Sequence, residues 1–309
     1  MLDQTSAAAL PTDSARYYEY TSSANPIGAK LISRVPLQHF SAALYADGAS
    51  RIVPLDLSAE LACPGPATGP GLCAHFVRIN AAEQITLAPN ASSQVLYVID
   101  GEGRLVQGET AFPFGRGDFF TLPGGEAALL SATATATLYY VNDAPLMTYL
   151  GVTAVQPRFA ATLYPAARAE AELRAVAQAE NAARRNRISV LLGNANFPQT
   201  RTVTHTLWAM YGLVAPHSVQ KPHRHQSIAL DFIASCEPGC YSLVGTELDA
   251  NGDIRKPTRV DWEPGMAFVT PPGYWHAHFN ESAAEARLIP IQDAGLQTYL
   301  RGLDIRFAA

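Results

Sequence analysis

Hydrophobic residues in most of this chain form short runs separated by turns, not long helical repeats. Between residues 84 and 142, apolar runs such as 95–99 alternate with segments rich in glycine and proline. The stretch from 202 to 291 repeats the same pattern. Short strands spaced by turn residues are typical of β-sandwiches and small barrels. The pattern therefore predicts two β-rich halves, with a boundary near residue 155.

The segment between the halves has a different composition. Residues 165–187 are rich in Ala, Glu, Arg and Gln and contain no glycine. These residues favour a helix, and Pro165 suits a first helical turn. The apolar positions are mostly small, which predicts a partly exposed helix that links the two halves.

Histidines in the second half suggest a metal site. His223 and His225 are two residues apart, so in a strand their side chains share a face. His276 follows about fifty residues later, after a Pro-Pro-Gly turn. Three imidazoles on one side of a metal leave the other side open to substrate, as a catalytic site requires. A lone His-x-His pair is often incidental, so the hypothesis depends on the surrounding motif.

That motif resembles the cupin signature. Gly265, Pro271, Gly273, His276 and Asn280 match all the positions of the second cupin motif. The glutamate that usually follows the two histidines of the first motif is absent here. The resemblance therefore implies a three-histidine site.

The first half keeps the cupin turns but not the ligands. Gly117, Pro123 and Gly125 match the second motif, whereas the ligand position holds Ala128. We expect this half to be a metal-free cupin produced by internal duplication.

The second half is similar to a narrower family. The segments 206–232 and 275–281, and more loosely 292–296, resemble the metal domain of gentisate 1,2-dioxygenases and of the related salicylate and 1-hydroxy-2-naphthoate enzymes. The resemblance implies a mononuclear Fe(II) bicupin that opens an aromatic ring with dioxygen. It also implies a homo-oligomer.

Two substitutions alter what the resemblance implies about the substrate. Asp231 stands where the family has an arginine that holds the substrate carboxylate, and Gly212 replaces a glutamine. An aspartate repels a carboxylate and accepts hydrogen bonds from an amine or a hydroxyl. We therefore expect a hydroxylated aromatic compound, with or without an amino group, rather than gentisate. Arg187 and Arg201 lie upstream as candidate replacements for the anion clamp.

Catalytic and substrate-binding roles are assigned to other residues from their positions along the predicted strands. His278 shares the face of His276 in a strand, so we interpret it as a catalytic residue outside the ligand set. Asp231 is a second catalytic candidate. Substrate binding is assigned to Trp208, Asp231, Arg187 and Trp275, although tryptophans are equally common in a core. Arg224 points to the opposite face from the two ligands beside it.

Composition restricts partners and location. The chain has 22 basic and 27 acidic side chains, a net charge of −5, and no basic block, so neither nucleic acid nor a membrane surface is an expected partner. The first twenty residues lack a secretion signal, and four cysteines in 309 residues do not make a disulfide framework. We expect a cytoplasmic protein.

The sequence as a whole predicts an all-β bicupin, with two double-stranded β-helix (jelly-roll) barrels joined by a helical linker. The predicted division is an N-terminal extension (1–80), a degenerate metal-free cupin (81–155), a helical linker (156–200) and a metal-binding cupin (201–309). Two alternatives remain open: a small-molecule-binding cupin without oxygenase activity, and another metal-cupin enzyme, such as a β-diketone dioxygenase or an isomerase.

Overall fold

The computed structural model describes residues 10–308. Within this range the chain forms two units, residues 10–34 and residues 35–308. The first unit contains a helical turn, α1 (Tyr20–Ser23), which is capped by the Glu19 carboxylate. Residues 1–9 of the predicted N-terminal extension and residue 309 lie outside the described part. No helix between residues 10 and 308 is long and apolar enough to cross a membrane.

The second unit begins with a barrel of antiparallel strands. The strands up to residue 164 are β1 (His39–Phe40), β2 (Arg51–Pro54), β3 (Cys73–Ile79), β4 (Gln84–Leu87), β5 (Ser93–Gln107), β6 (Thr110–Gly115), β7 (Phe119–Pro123), β8 (Ala128–Asn142) and β9 (Thr162–Tyr164). The sheet of this barrel runs in the order β2-β3-β8-β5-β7-β9, with β4 beside β8 and β6 beside β5. Strands β5 and β8 bend where their register shifts, around Gly101. Gly101 has a positive φ, and a Cβ there would collide with the carbonyl oxygen of Thr135.

A second barrel follows and consists of two sheets. Its strands are β10 (Ile188–Leu192), β11 (Trp208–Val214), β12 (Ser218–Arg224), β13 (Ala229–Ser235), β14 (Cys240–Gly245), β15 (Thr258–Asp261), β16 (Ala267–Thr270), β17 (Trp275–Asn280), β18 (Ala286–Gln292) and β19 (Arg306–Phe307). One sheet has the order β1-β16-β13-β18-β11-β10 and the other β15-β14-β17-β12-β19. Strand β1, which precedes the first barrel in sequence, therefore belongs to the second barrel. The remaining helices are α2 (Ser58–Leu61), α3 (Ala144–Leu150), α4 (Ala166–Gln178) and α5 (Ala294–Tyr299), with 3-10 turns at Ala42–Leu44 and Ala182–Arg184.

The two barrels pack against each other through aromatic side chains. Tyr139 of the first barrel stacks on Phe232 of the second, with ring centroids 4.9 Å apart. Phe76 and Tyr97 contact the same phenylalanine from the first barrel. All four side chains are buried. The architecture is all-β with two cupin-type barrels, which confirms the predicted fold class.

The interiors of the barrels differ in character. Apolar side chains such as Leu96, Phe120 and Leu122 fill the first barrel and belong to one continuous buried cluster. The second barrel has a smaller apolar cluster, which includes Ile233 and Trp262. Its buried polar residues include four histidines. Polar chemistry is therefore concentrated in the second barrel.

The structure differs from the sequence expectations at two places. Strands β2 and β3, in the segment 51–79 assigned to an extension, pair within the sheet of the first barrel. The predicted helix 165–187 ends at Gln178, because Ala179 adopts an extended conformation. The chain beyond it becomes strand β10, which pairs with β11. This pairing carries Arg187 to the edge of the second barrel.

An ion-pair network attaches α4 to the second barrel. Arg174 of the helix bonds the Glu285 carboxylate at 2.8 Å, and Arg287 of β18 bonds both Glu285 and Glu170 of the helix, at 3.0 and 3.1 Å. The hydrogen bonds from Arg174 and Arg287 lower the pKa of Glu285. A carboxylate whose pKa is lowered by folding stabilises the native state above its ordinary pKa, and this contribution disappears as the pH falls through the lowered value.

We expect Glu285→Gln to lower the free energy of unfolding near neutral pH by ~1 kcal/mol or less, because solvent screens a partly exposed pair. The difference from the parent protein should vanish in acid, below the pKa of Glu285. Urea unfolding of the metal-free protein at both pH values measures it. Glu172→Gln is the matched control, since Glu172 pairs only with the exposed Arg168 of the same helix. An equal destabilisation at both pH values would show that the charge of Glu285 is not what stabilises the fold.

Candidate metal centre

Three buried histidines meet on the inner face of one sheet in the second barrel. His223 lies near the end of β12 and is paired with His276 of β17. His225 follows directly after β12. Their potential ligand atoms all lie within 4.8 Å of one another. Between residues 10 and 308, this is the one group of three or more candidate ligands found at such spacing.

Hydrogen bonds leave these imidazoles suited to a metal. The Nδ1 atoms of His225 and His276 each donate to a backbone carbonyl, at 2.9 and 3.1 Å, whereas Nδ1 of His223 lies 3.2 Å from the carbonyl of His276 and 2.7 Å from the Arg187 guanidinium. A ring that is protonated at Nδ1 presents an unprotonated Nε2. The Nε2 atom of His225 is buried and has no hydrogen-bond partner, so a buried acceptor is left for a ligand. This donor set fits a divalent metal with open positions.

All three rings are neutral near neutral pH. Burial lowers the pKa of His225 to about 4. Burial also holds the pKa values of His223 and His276 well below the ordinary value, with a further contribution from neighbouring histidines. Neutral imidazole is the form that coordinates a metal.

Two residues orient His225. The hydroxyl oxygen and the carbonyl oxygen of Ser227 each lie 2.9 Å from the Nδ1 atom of His225. The same hydroxyl donates to the Gln292 side chain at 3.0 Å. Partners of this kind fix the tautomer and the ring orientation of a ligand histidine. Sequence reasoning missed both residues, because neither belongs to the motif.

We expect Ser227→Ala to weaken metal binding by about tenfold, the lower end of the effect of losing a partner to a ligand histidine, because the Ser227 carbonyl remains as an acceptor. Competition for the metal against a chelating dye measures this. Ser218→Ala is the control, since Ser218 lies at the start of β12, outside the ligand cluster, and its hydroxyl group donates to the carbonyl of Ala215. Equal affinities for both variants would show that Ser227 does not orient the ligand.

The remaining motif residues shape the backbone. Gly273 has φ +77°, a conformation that favours glycine, and its amide donates to the carbonyl of His225 at 2.7 Å. The Asn280 side chain donates to the carbonyls of Val214 and Ala284. The cupin spacing therefore holds the loop beside His225 and closes the end of β17.

His278 lies beside the three-histidine group but does not belong to it. Its ring centroid is 5.8 Å from that of His276 and 6.5 Å from that of His223. Its Nδ1 atom is 2.8 Å from the Ser242 hydroxyl, which also accepts from the Trp262 indole. Burial lowers the pKa of His278 to about 3. It is a buried neutral group beside the candidate ligands.

Asp231 points into the barrel. It is opposite Phe268 in the sheet and shares a face with Ile233, and both belong to the interior apolar cluster. The strand is interrupted between His225 and Asp231, because β12 ends at Arg224 and β13 starts at Ala229, so alternation from His225 does not give the direction of Asp231. The inward direction follows from strand pairing instead.

The Asp231 carboxylate is 2% exposed and accepts a hydrogen bond from Thr270 at 2.9 Å. Burial raises its pKa to about 6, against the effects of Thr270 and of the charge of Arg187. The carboxyl group is therefore mostly ionised near neutral pH.

Arg187 reaches the histidines. Its Nη2 atom lies 2.7 Å from the Nδ1 atom of His223. Burial lowers its pKa to about 10, so it remains a cation near neutral pH. Because a guanidinium can only donate, this short contact makes Nδ1 of His223 an acceptor from Arg187. The N–H groups that do not bond His223 or Asn186 are available to another acceptor. Arg201, the second candidate for the anion clamp, is exposed.

The two tryptophans lie on different faces. Trp208 shares a face of β11 with Val214, which belongs to the interior cluster, and its buried indole N–H has no hydrogen-bond partner. Trp275 directly precedes His276 and therefore points out of the barrel, where the Arg224 guanidinium lies 5.4 Å from its ring centroid. The structure does not bring Trp275 into the site.

The C-terminal strand contributes a residue that no motif indicated. Phe307 of β19 pairs with His223, and the two rings stack with centroids 6.0 Å apart. The ligand face is thus supported by a segment more than eighty residues away in sequence.

Comparisons with known proteins agree with this architecture. No protein-family model matches the chain. A gentisate 1,2-dioxygenase from Aquipseudomonas alcaligenes is 29% identical over 93 residues, which is 30% of this chain and 23% of that protein. The chain thus matches less than a quarter of the length of this curated relative.

Solved structures match almost the whole chain. A salicylate 1,2-dioxygenase from Pseudoaminobacter salicylatoxidans with bound gentisate has a TM-score of 0.68 at 13% identity, over 94% of this chain and 90% of that one. The chain has the bicupin fold. The manganese-containing oxalate decarboxylase of Bacillus subtilis also matches this bicupin, with a TM-score of 0.54 at 14% identity over 84% and 78% of the two chains. The resemblance seen in the motifs is therefore present in both sequence and fold.

Proposed function

We propose that this bicupin is a mononuclear Fe(II)-dependent dioxygenase that opens the ring of a hydroxylated aromatic compound. The observation that carries the proposal is the buried set of three neutral histidines, in which Nε2 of His225 has no partner. The sequence match to a gentisate dioxygenase and the fold of a salicylate dioxygenase support the choice of reaction. The three-histidine set alone is compatible with several divalent metals.

Each residue near the cluster has a proposed part. Fe(II) held by His223, His225 and His276 would bring dioxygen and the substrate together for electron transfer. Arg187 would bind an anionic oxygen of the substrate, since its guanidinium reaches the ligand cluster. Trp208 would contact the ring, and its unpartnered indole N–H would donate to the substrate. His278 would donate or accept one hydrogen bond as a neutral imidazole.

The proposal extends to the setting of the enzyme. Aromatic compound degradation of this kind would take place in the cytoplasm, as the composition predicts. The bicupin would act as a homo-oligomer with a small aromatic substrate and dioxygen as its reaction partners. Size-exclusion chromatography with light scattering measures the number of subunits.

Oxygen consumption tests the proposal. Protein reconstituted with Fe(II) under anaerobic conditions is mixed with a panel of phenols, hydroxybenzoates and aminophenols, and His223→Ala serves as the blank. Substrate-dependent uptake that is absent from the blank supports the dioxygenase. Stoichiometric iron without uptake by any compound would contradict it and would favour a binding protein or a non-oxidative metalloenzyme.

A further inference from the structure

A hydrogen-bonded polar pair lies in the wall of the second barrel. Asp231 of β13 and Thr270 of β16 are joined at 2.9 Å, and both are almost completely buried. A buried carboxylate loses its hydration, so a fold retains one only when something else compensates. The charge of Arg187 acts on Asp231, but no ion pair within 4 Å joins the two groups among the described residues.

The first barrel shows what the fold itself requires at these positions. In the second barrel, Ala229 of β13 pairs with both Thr270 and Gln292. In the first barrel, Gln94 of β5 pairs with both Leu122 and Asn142. Gln94 therefore corresponds to Ala229, and Leu122 corresponds to Thr270.

Two further observations support this alignment. Asn142 precedes Asp143 at the start of α3, as Gln292 precedes Asp293 at the start of α5. Asp143 and Asp293 each accept a hydrogen bond from the backbone amide one residue before the aligned pair, those of Ser93 and Ile228.

Counting two residues along each strand aligns Asp231 with Leu96. The polar pair of the second barrel is thus an apolar pair in the first, where Leu96 and Leu122 are completely buried in the interior cluster. The same chain folds this architecture with two leucines. The Asp231–Thr270 pair is therefore not a requirement of the fold, and it occurs in the barrel that carries the histidines.

We propose that Asp231, oriented by Thr270, determines specificity by accepting a hydrogen bond from an amino or hydroxyl group on the ring of the substrate. This inference rests on the proposed function, and it specifies the substrate class. The substrate carries one hydroxyl group for the metal and a second hydrogen-bond donor for Asp231, as in aminophenols and hydroquinones. Because Thr270 donates to one carboxylate oxygen, the other oxygen is free to accept.

Matched pairs of ring compounds test the proposal. Hydroquinone is compared with 4-methoxyphenol, and 4-aminophenol with its N,N-dimethyl derivative, so that methyl groups replace the donor hydrogens. Binding to Zn(II)-substituted protein is measured by calorimetry, and kcat/KM of the Fe(II) protein is measured by oxygen uptake. We expect the parent protein to prefer the donor-bearing member of each pair by about 100-fold, the effect of losing a hydrogen bond to a charged group.

The main variant replaces Asp231 and Thr270 with leucine, the residue found at both aligned positions of the first barrel. The double variant D231L/T270L should remain folded, because Leu96 and Leu122 occupy the aligned positions, and its preference should fall to nearly one. Asp231→Asn keeps an oxygen acceptor and should retain part of the preference. Thr121→Val removes a buried hydroxyl group without a partner in the first barrel and is the control.

The outcomes separate the inference from the proposed function. A preference that the double variant loses supports the inference, even if no compound is oxidised, in which case the dioxygenase is the part that fails. An unchanged preference in folded D231L/T270L, or in Asp231→Asn if the double variant does not fold, overturns the inference. If a variant loses the same binding affinity and kcat/KM for both members of a pair, the inference is also overturned, since Asp231 would then only neutralise Arg187.

Discussion

The His276→Ala variant is expected to fold, to lose stoichiometric Fe(II) binding and to show no substrate-dependent oxygen uptake. His276 is the candidate ligand that comes from β17, and the other two lie near the end of β12 and directly after it. Two imidazoles alone hold a divalent metal far more weakly than three, so affinity should fall by at least about 100-fold, beyond the effect of losing a partner of a ligand. Metal analysis after gel filtration, together with oxygen uptake, measures both losses.

His39→Ala is the matched control for this variant. His39 is an exposed histidine of β1 and lies outside the ligand cluster. It should keep both metal content and activity. Circular dichroism shows whether each variant has the parent fold. A folded His276→Ala protein that binds one equivalent of Fe(II) as tightly as the parent would show that His276 is not a ligand.

The second large effect concerns Arg187. Arg187→Met should raise KM for anionic substrates by about 30-fold or more, because removing one partner of a buried charged hydrogen bond costs ~2 kcal/mol or more. The guanidinium reaches the ligand cluster at His223 and remains charged near neutral pH. Arg187→Lys should recover only part of this loss, since an ammonium group lacks the planar donor pair of arginine.

Steady-state kinetics over a range of substrate concentrations separate KM from kcat for these variants. Arg201→Met is the control, because Arg201 is exposed. The iron content of each variant is measured in parallel. If Arg187→Met lost its iron while KM for the remaining active protein stayed unchanged, Arg187 would support His223 and would not bind the substrate.

Local sequence patterns predicted the residues that depend on local geometry. The spacing of His223 and His225, and the turn before His276, follow from strand periodicity and from a loop with a left-handed glycine. The assignment of Trp275 to substrate binding did not apply the same alternation, which separates it from its neighbour His276, and its ring lies beside Arg224 on the outer face. These relations involve residues only a few positions apart.

Residues that reach the site through long-range pairing were harder to predict. Arg187 reaches the cluster because β10 pairs with β11, and Phe307 does so because β19 pairs with β12. Strand register between distant segments is not encoded in either segment alone. Gln292, which accepts from the Ser227 hydroxyl beside His225, is hidden for the same reason, since it lies on β18.

The segment 51–79 illustrates a second limit of the sequence. Strand β3 is almost entirely buried and lacks the alternation of a half-exposed strand. A loop with several glycines and prolines precedes it, which made the whole segment resemble an extension. Its place in the first barrel is defined by pairing with β8, more than fifty residues later.

Incorporation of isotopically heavy dioxygen decides whether this protein cleaves the ring of its substrate as a dioxygenase. The Fe(II)-reconstituted protein is supplied with labelled dioxygen and the best substrate of the panel, and the product is analysed by mass spectrometry. A ring-cleaving dioxygenase predicts that both atoms of one dioxygen molecule enter a ring-opened product. A product that keeps its aromatic ring, or that carries no label from dioxygen, would contradict the account.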